Sequence, residues 1–426
     1  MKKVKLTSEP VIIKNNDFKT IQIKVIFPFQ RKEEEMVKAN LIPNMLQLVC
    51  EDYPTEKEFS MAEESLFILN SFCGYNVLID KGYFTFNMII PEVDALGKDL
   101  LDEQFLFLSK IMYHPKLKDK HFCHEEFERE IMKMKMDIES AFQHPESYAD
   151  IKSREVLDPD GIISNTIFNH QELIDLVNEE NLYEFYLDKI YNNDPFIFIF
   201  GNVNEKRIKE LCHKYLYLRD VVESVYEVDT HCYLPITDKV KDVVEKSNFR
   251  NSVYIEYYKV RDMKEEDKVL LDSVQKMLSS NSTRLLSKSL RNESELVYAV
   301  FAKNYNRYGV LQVIAYINKD NYQMTKDKIR EVFTKLKDDE IISSSLEKIK
   351  EKARISLIRQ LDNKVYTFSD GIIKNLKIDY CSSEYYEMLK KITEKDLKDF
   401  IDRLVLDTQY FLEEGSHESN WDYKIR

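Results

Sequence analysis

Hydrophobic and polar side chains alternate along several short stretches of the chain. Residues 20–29 have an apolar side chain at every second position, a pattern that predicts a half-buried strand. Residues 76–80 and 83–90 also read as strands, and Lys81 and Gly82 between them predict a hairpin turn. Strands of this kind bury one face, so the sheet that they form needs helices or a second sheet to cover it.

Helical periodicity takes over between and after these strands. Apolar side chains recur at helical spacing within residues 36–49, 96–112, 124–143 and 265–278. Helices mixed with strands in this way predict a layered fold in which helices pack on sheets.

The order of predicted elements starts again near the middle of the chain. Leu182 lies in a predicted helix that is followed by a predicted strand and then by Gly201. Leu397 and Gly415 are related in the same way. The two leucines are 215 residues apart and the two glycines 214, which predicts an internal repeat. The predicted fold class is therefore α+β, with two homologous repeats that each consist of an antiparallel-rich β-sheet packed with helices.

A stretch without clear periodicity separates the two repeats. We predict a linker at residues 219–241, an N-terminal repeat at residues 1–218 and a C-terminal repeat at residues 242–426. Two copies of this size account for the whole length.

Composition and charge narrow the classes of function. The 426 residues include 62 Lys and Arg against 75 Asp and Glu, and the net charge of −13 argues against nucleic acid as a partner. This charge suits a basic peptide partner. The apolar run at residues 195–200 is too short to cross a bilayer, and no signal peptide is visible, so we expect no membrane partner. Six scattered cysteines without a C-x-x-C pair indicate reduced thiols and a cytoplasmic protein.

One short stretch has the frame of a zinc-peptidase helix without its chemistry. In the inverted zincins this frame reads H-x-x-E-H, where two histidines bind zinc and the glutamate is the general base. The corresponding positions here are Asn40, Pro43 and Asn44. Amides bind zinc poorly and proline has no acid or base, so we expect no metal here. A purely local interpretation is a helix start, with Asn40 as the cap and Pro43 in the first turn.

This stretch resembles the metal helix of the insulinase/pitrilysin-type metallopeptidase family, with its active residues replaced. The family's distal helix follows roughly E-R-x-V-x-x-x-E-I, and its late glutamate is the third zinc ligand. Residues 127–136 resemble that helix, and Lys135 stands at the ligand position. An ammonium has no lone pair to offer a metal. The resemblance therefore implies that Asn40, Asn44 and Lys135 are all lost ligand positions.

His121 and His124 form a further candidate metal pair. On one helix they would share a face, because they are three residues apart. Their order, H-x-x-H-E, matches neither zinc-peptidase motif. The alternative is a solvated helix start with Glu125 and Glu126 in the first turn, and we expect no metal here either.

The most specific part of the resemblance lies in the second repeat. Residues 286–300 are similar to the family signature S-S-R-L-x-x-x-L-R-x-x-x-x-L-x-Y-x-V. In that family the arginine and the tyrosine contact the substrate backbone opposite the zinc, and here they are Arg291 and Tyr298. A guanidinium suits a carbonyl or carboxylate, and a phenol donates to a developing oxyanion. The alternative is an ion pair between Arg291 and Glu295, with Tyr298 half-buried in a strand.

This segment differs from the signature in two ways. One extra residue lies between Leu285 and Leu290. Family members also often have glycines before the S-S-R-L segment, whereas residues 278–282 contain none. A glycine-rich substrate loop is therefore not expected.

The resemblance covers nearly the whole chain and looks most like the non-catalytic partners of a zinc-bearing paralogue, as in mitochondrial processing peptidase and several bacterial pairs. It implies the non-catalytic subunit of a heterodimeric zinc metallopeptidase. The partner would supply H-x-x-E-H and the zinc, while this chain would close the peptide chamber and offer Arg291 and Tyr298 to the peptide substrate. The alternative is a stand-alone peptide-binding or scaffold protein, a homodimer without peptidase activity.

Overall fold

The computed structural model of the chain describes residues 2–6, 9–218, 224–280, 284–376 and 378–415. The strands are β1 (Lys2–Leu6), β2 (Val11–Lys14), β3 (Thr20–Gln30), β4 (Asn70–Leu78), β5 (Lys81–Pro91), β6 (Leu117–Lys118), β7 (His121–Phe122), β8 (Phe196–Gly201), β9 (Ser224–Val228), β10 (Lys241–Lys246), β11 (Ser252–Val260), β12 (Val297–Tyr305), β13 (Val310–Ile317) and β14 (Leu404–Glu413). The helices are α1 (Met36–Leu46), α2 (Glu56–Ser65), α3 (Val93–Leu96), α4 (Leu101–Tyr113), α5 (His124–Gln143), α6 (Pro145–Leu157), α7 (Glu179–Tyr186), α8 (Glu205–Tyr215), α9 (Lys268–Ser279), α10 (Tyr322–Lys335), α11 (Asp339–Leu361), α12 (Lys364–Leu376), α13 (Ser382–Lys391) and α14 (Glu394–Ile401). Within these residues no helix is both long and apolar enough to cross a membrane.

The chain forms two compact units that are discontinuous in sequence. Unit 1 consists of Met1–Asp137, Thr166–Thr230 and Gln360–Cys381. Unit 2 consists of Ile138–Asn165, His231–Arg359 and Ser382–Arg426. Each unit thus includes a segment from the other half of the sequence, unlike the continuous halves that the pattern predicts.

Each unit contains one five-stranded mixed sheet, and the two sheets share a topology. The strand order is β2-β8-β3-β5-β4 in unit 1 and β10-β14-β11-β13-β12 in unit 2. The outermost pair on one side of each sheet, β2 with β8 and β10 with β14, is parallel, and the other neighbours are antiparallel. The predicted α+β fold with two homologous, antiparallel-rich repeats is confirmed.

The hairpin turn of unit 1 lies two residues earlier than the sequence predicts. Strand β4 ends at Leu78 and β5 begins at Lys81, so the turn residues are Ile79 and Asp80. The predicted turn at Lys81 and Gly82 is wrong. Both residues pair with the end of β3 on the far side of β5, and this pairing draws them into the strand.

One helix in each unit comes from the other half of the sequence and packs on the sheet. In unit 1 this helix is α12, and its Phe368 stacks on Phe200 of β8 with ring centroids 5.6 Å apart. In unit 2 it is α6, and its buried Ala149 and Leu157 belong to one apolar cluster with Ile255 of β11. Periodicity locates a helix along the chain but does not tell which sheet the helix covers, so the sequence did not predict this exchange.

One of the points at which the chain passes between the units, from Thr230 to His231, falls within the predicted linker. Residues 219–223 lie outside the described part, and Ser224–Val228 form β9, which pairs with β1. Beyond the boundary, the amide of Cys232 donates to the carbonyl of Arg307 at 2.8 Å. The described part of this segment is therefore hydrogen-bonded to a strand in unit 1 and to a turn in unit 2.

Gly201 and Gly415, which define the repeat in the sequence, have the same physical reason to be glycine. A Cβ on Gly201 would lie 2.9 Å from the carbonyl oxygen of Thr20, and a Cβ on Gly415 would lie 2.8 Å from that of Ser247. Gly201 also has a φ of 141°, which disfavours any other residue. In each repeat the chain leaving the last strand passes too close to neighbouring backbone for a side chain.

Unit 2 has a buried carboxylate at the centre of its sheet. Glu256 is 0% exposed and accepts hydrogen bonds from Tyr254 Oη at 2.6 Å, Tyr258 Oη at 2.5 Å and Gln409 Nε2 at 2.9 Å. Burial raises the pKa of Glu256, and the three donors oppose that rise.

Candidate functional site

The helix with the degenerate zinc frame begins earlier than its local signals predict. Helix α1 starts at Met36, so Asn40 and Pro43 lie inside it, and the expectation that Asn40 caps the helix is wrong. The side chain of Asn40 instead donates to the carbonyl of Met36 at 2.8 Å, one turn back. Asn44 is one turn further along the same face and is exposed to solvent.

Burial explains why α1 tolerates a proline in its interior. An interior proline removes one backbone hydrogen bond and costs about 3 kcal/mol. Most of α1 is buried, including Leu41, Ile42, Met45 and Leu46, and each such side chain contributes about 1.5–3 kcal/mol. Tertiary packing therefore determines where the helix starts, and it outweighs the cost of Pro43 inside the helix.

Lys135, at the third ligand position, is bonded within unit 1. It lies on the exposed face of α5, and its ammonium is 2.9 Å from Asp175 Oδ1. Two amides and an ammonium do not form a zinc donor set, because zinc is bound by thiolate, imidazole or carboxylate. The residues at the three ligand positions therefore do not fit the metal.

The two histidines do not share a helix face. His121 belongs to β7, and α5 starts at His124, so the assumption that both lie on one helix is wrong. His124 pairs with Glu179 at the start of α7, and this hydrogen bond raises the pKa of His124. Across the residues that the structure describes, no group of three or more His, Cys, Asp or Glu side chains is arranged to hold a metal.

Arg291 lies near the end of a π turn in unit 2. The turn spans Ser287–Asn292, and the amide of Glu293 donates to the carbonyl of Lys288, five residues back. A π turn accommodates one residue more than an α turn. The extra residue between Leu285 and Leu290 is therefore absorbed in the turn, and the spacing from Arg291 to Tyr298 is left intact.

The guanidinium of Arg291 is exposed and makes no hydrogen bond or ion pair with the described part of the chain. The alternative ion pair with Glu295 is absent from these contacts. Glu295 instead has a left-handed backbone with φ of 52°, which ends the turn. The amide of Leu296 then donates to the carbonyl of Leu290 at 2.9 Å. Arg291 is thus held by its backbone while its side chain stays available to a ligand.

Tyr298 projects from the edge of the unit 2 sheet. It sits in β12 at a break in register between Val297 and Ala299, which is a bulge opposite β13. Its side chain is 56% exposed, more than the half-buried strand aromatic of the alternative interpretation. Its hydroxyl donates to Asn318 Oδ1 at 2.6 Å.

Asn318 is a hydrogen-bond partner of Tyr298 that the sequence did not reveal. It directly follows β13, and its Oδ1 accepts the hydrogen bond from the hydroxyl of Tyr298. The signal for it, a polar residue just after a buried strand, is common at strand ends.

The segment before the π turn is described only in part. Residues 281–283, which include Ser282 of the signature, lie outside the described residues. Arg284 follows with a positive φ of 46° and begins the turn.

A comparison with protein families and solved structures identifies the class of protein. Residues 177–353 match the family model described as "Peptidase M16 inactive domain". A solved structure described as a peptidase M16 inactive domain from Pseudomonas fluorescens has a TM-score of 0.68 at 11% identity, covering 98% of this chain and 99% of that one. The chain is therefore similar to the inactive-domain proteins of the M16 family, the insulinase type of metallopeptidase, in sequence over residues 177–353 and in fold over nearly its whole length.

Two further relatives cover almost the full length. The "Probable inactive metalloprotease YmfF" of Bacillus subtilis (strain 168) is 19% identical over 410 residues, which is 94% of each chain. A conserved protein from Enterococcus faecalis V583 has a TM-score of 0.86 at 19% identity, with 98% of this chain and 100% of that one covered. The predicted resemblance is confirmed, and the structural likenesses extend the fold over both units.

Proposed function

We propose that this chain is the non-catalytic subunit of a heterodimeric zinc metallopeptidase. In this proposal Arg291 and Tyr298 hold the peptide substrate against the zinc site of a partner that carries H-x-x-E-H. The observation that carries the proposal is the exposed, unbonded guanidinium of Arg291 on a fixed turn. The match of residues 177–353 to the model of the M16 inactive domain supports it.

Each side chain has a distinct role in this proposal. The guanidinium of Arg291 binds a carbonyl or carboxylate of the peptide by charge-assisted hydrogen bonds. The phenol of Tyr298 leaves Asn318 and donates to the oxygen that gains charge at the scissile carbonyl. Zinc and the general base come from the partner, and no zinc is assigned to this chain.

A cytoplasmic location is part of the proposal. None of the six cysteines, all within the described residues, forms a disulfide, and four are buried. Reduced thiols of this number suit a reducing compartment.

The test is to mix the purified chain with its H-x-x-E-H paralogue and measure peptide cleavage. Arg291→Ala should lower kcat/KM by about 100-fold, and Tyr298→Phe by about tenfold or more. Assembly, followed by size-exclusion chromatography, should not change, because both side chains are exposed. Unchanged turnover with intact assembly contradicts the roles given to these residues.

Two matched variants control for the loss of an exposed charge or hydroxyl. Arg250→Ala removes an exposed arginine of unit 2, and Tyr366→Phe removes the hydroxyl of a tyrosine that is 52% exposed. Both should retain full activity. If the chain instead forms a homodimer that binds peptide and no paralogue gains activity from it, the stand-alone scaffold replaces this proposal.

A further inference from the structure

A cleft of about 640 Å³ opens in unit 2 next to the turn that carries Arg291. Its walls come from the π turn, the end of α10 and the start of α11. Three apolar side chains, from Leu285, Val332 and Ile341, contribute to its lining. A cleft of this size is within the range of ligand sites and holds a short peptide segment.

The charges around this cleft leave an excess of lysine. Lys288 and Lys335 are exposed lining residues whose ammonium groups make no hydrogen bond or ion pair within the described residues. Glu331 acts on Lys335 electrostatically but is itself paired with Lys328. Lys337, the third lysine of the lining, is paired with Asp402.

The two acidic residues of the lining do not neutralise the free lysines. The carboxylate of Asp338 accepts hydrogen bonds from the amides of Glu340 and Ile341 and so caps α11. Glu293 is exposed, and its charge acts on Lys328. Lys288 and Lys335 therefore remain available to an anionic group.

Ser289 adds an unsatisfied donor to the same lining. It is 4% exposed, and its hydroxyl has no hydrogen-bond partner within the described residues. Its backbone carbonyl is used by Ser294, so the hydroxyl alone is left unpaired. A buried hydroxyl without a partner is unfavourable, and a ligand acceptor would satisfy it.

We propose that this cleft binds a peptide segment in which a carboxylate lies next to an apolar side chain. Lys288 and Lys335 pair with the carboxylate, and the hydroxyl of Ser289 donates to an oxygen of the same segment. Leu285, Val332 and Ile341 receive the apolar side chain. A bare inorganic anion would leave these three side chains uncovered. The proposal does not depend on a zinc-bearing partner, since binding involves this chain alone.

Calorimetric titration of the full chain tests the proposal with three short peptides. The probes are acetyl-Leu-Val-Leu with a free carboxylate, the same peptide as its amide, and acetyl-Leu-Glu-Leu amide. We expect both carboxylate peptides to bind at least about tenfold more tightly than the neutral amide, because charge-assisted hydrogen bonds are lost with the charge. Binding of only one of the two identifies the carboxylate as terminal or side-chain. Equal binding of all three, or no binding, overturns the proposal.

The double variant Lys288→Ala/Lys335→Ala should weaken binding of the carboxylate peptide by about tenfold or more. Lys348→Ala/Lys352→Ala removes two exposed lysines of α11 outside the cleft and should leave affinity unchanged. An equal loss in both double variants would mean that only net charge matters, and the cleft would not be the site.

Ser289→Ala separates a ligand-binding role from a structural one. Removal of an unpaired buried hydroxyl should leave the thermal midpoint of the free chain unchanged or raised. The affinity for acetyl-Leu-Val-Leu should fall, because one donor to the peptide is gone. A lower midpoint together with unchanged affinity would show that the hydroxyl serves the fold, and the proposal would lose its donor.

Discussion

The positions that correspond to catalytic chemistry are used differently in the two units. In unit 1, Asn40 is bonded to its own helix and Lys135 to Asp175, so these side chains are engaged within the unit. In unit 2, Arg291 has no bonded partner in the described chain and Tyr298 is largely exposed. Asn40 and Lys135 of unit 1 are therefore bonded within their unit, whereas the side chains of Arg291 and Tyr298 in unit 2 are exposed, although the two units share one topology.

The central strands of the two sheets also differ, because β11 of unit 2 is more polar than β3 of unit 1. On the face of β3 that points away from α12, Ile21, Ile23, Val25 and Phe27 are all apolar and buried. On the face of β11 that points away from α6, Tyr254, Glu256 and Tyr258 form a hydrogen-bonded polar network. The same strand topology thus accommodates an apolar core in one repeat and a hydrogen-bonded polar network in the other.

The largest effect is expected from Glu256→Ala in unit 2. It leaves the hydroxyls of Tyr254 and Tyr258 without their acceptor and leaves Gln409 only its bond to Tyr254, so we expect a loss of about 3–5 kcal/mol in the free energy of unfolding, measured by urea denaturation. Val25→Ala is the matched change in the apolar core of unit 1 and should cost about 1–3 kcal/mol. If the two losses are equal, the polar network is no more sensitive than the apolar core and the contrast fails.

The pH dependence of the network can be measured with Glu256→Gln. Burial raises the pKa of Glu256 in the folded state, so the folded state binds more protons than the unfolded one between the two pKa values. The contribution of Glu256 to stability therefore falls as the pH rises above its unfolded value of about 4.3. We expect wild type to lose stability relative to Glu256→Gln as the pH rises. A parallel profile for the two proteins would contradict a raised pKa.

A smaller effect of opposite sign is expected at Pro43 in unit 1. Pro43→Ala restores a backbone donor inside α1, worth part of the roughly 3 kcal/mol that an interior proline costs, and loses some buried contact. The net expectation is a gain of about 1 kcal/mol in thermal and urea unfolding. Peptide cleavage by the assembled complex should not change, because the proposal places no chemistry on this helix. Destabilisation by Pro43→Ala would show that the proline packs too well to replace.

The smallest effect is expected at the surface pair of His124 and Glu179. The hydrogen bond raises the pKa of His124, so its contribution is present below the unfolded value of about 6.5 and is lost as the pH rises through the folded value. His124→Ala should lower the thermal midpoint slightly at about pH 5.5 and not at about pH 9. His114→Ala, which breaks a longer 3.7 Å contact with Glu51, is the control. A midpoint that falls equally at both pH values would show that His124 acts by packing.

The sequence located most elements and misplaced some of their ends. The long helix α5 and the strand β3 lie where the periodicity predicts them. The helical periodicity of residues 36–49 includes the observed start of α1 at Met36. The local interpretation of a start at Asn40 is wrong, because burial of the preceding turn outweighs the resemblance of a polar residue before proline to a cap. The hairpin turn was missed because pairing with β3 extends β5 through Lys81 and Gly82. Local signals lose wherever a tertiary contact contributes more free energy than the local preference.

The sequence by itself determined the repeat, the resemblance to the family and the residues that stand at the positions corresponding to its zinc ligands. These features depend on which residues occur at which spacing, and Asn40, Asn44 and Lys135 cannot change their chemistry on folding. Only the tertiary structure decided the exchange of α6 and α12 between the halves of the sequence, the bond from Asn318 to Tyr298, and the unpaired Ser289 in the cleft. Those features join residues far apart in the chain or depend on burial, and no local pattern records them.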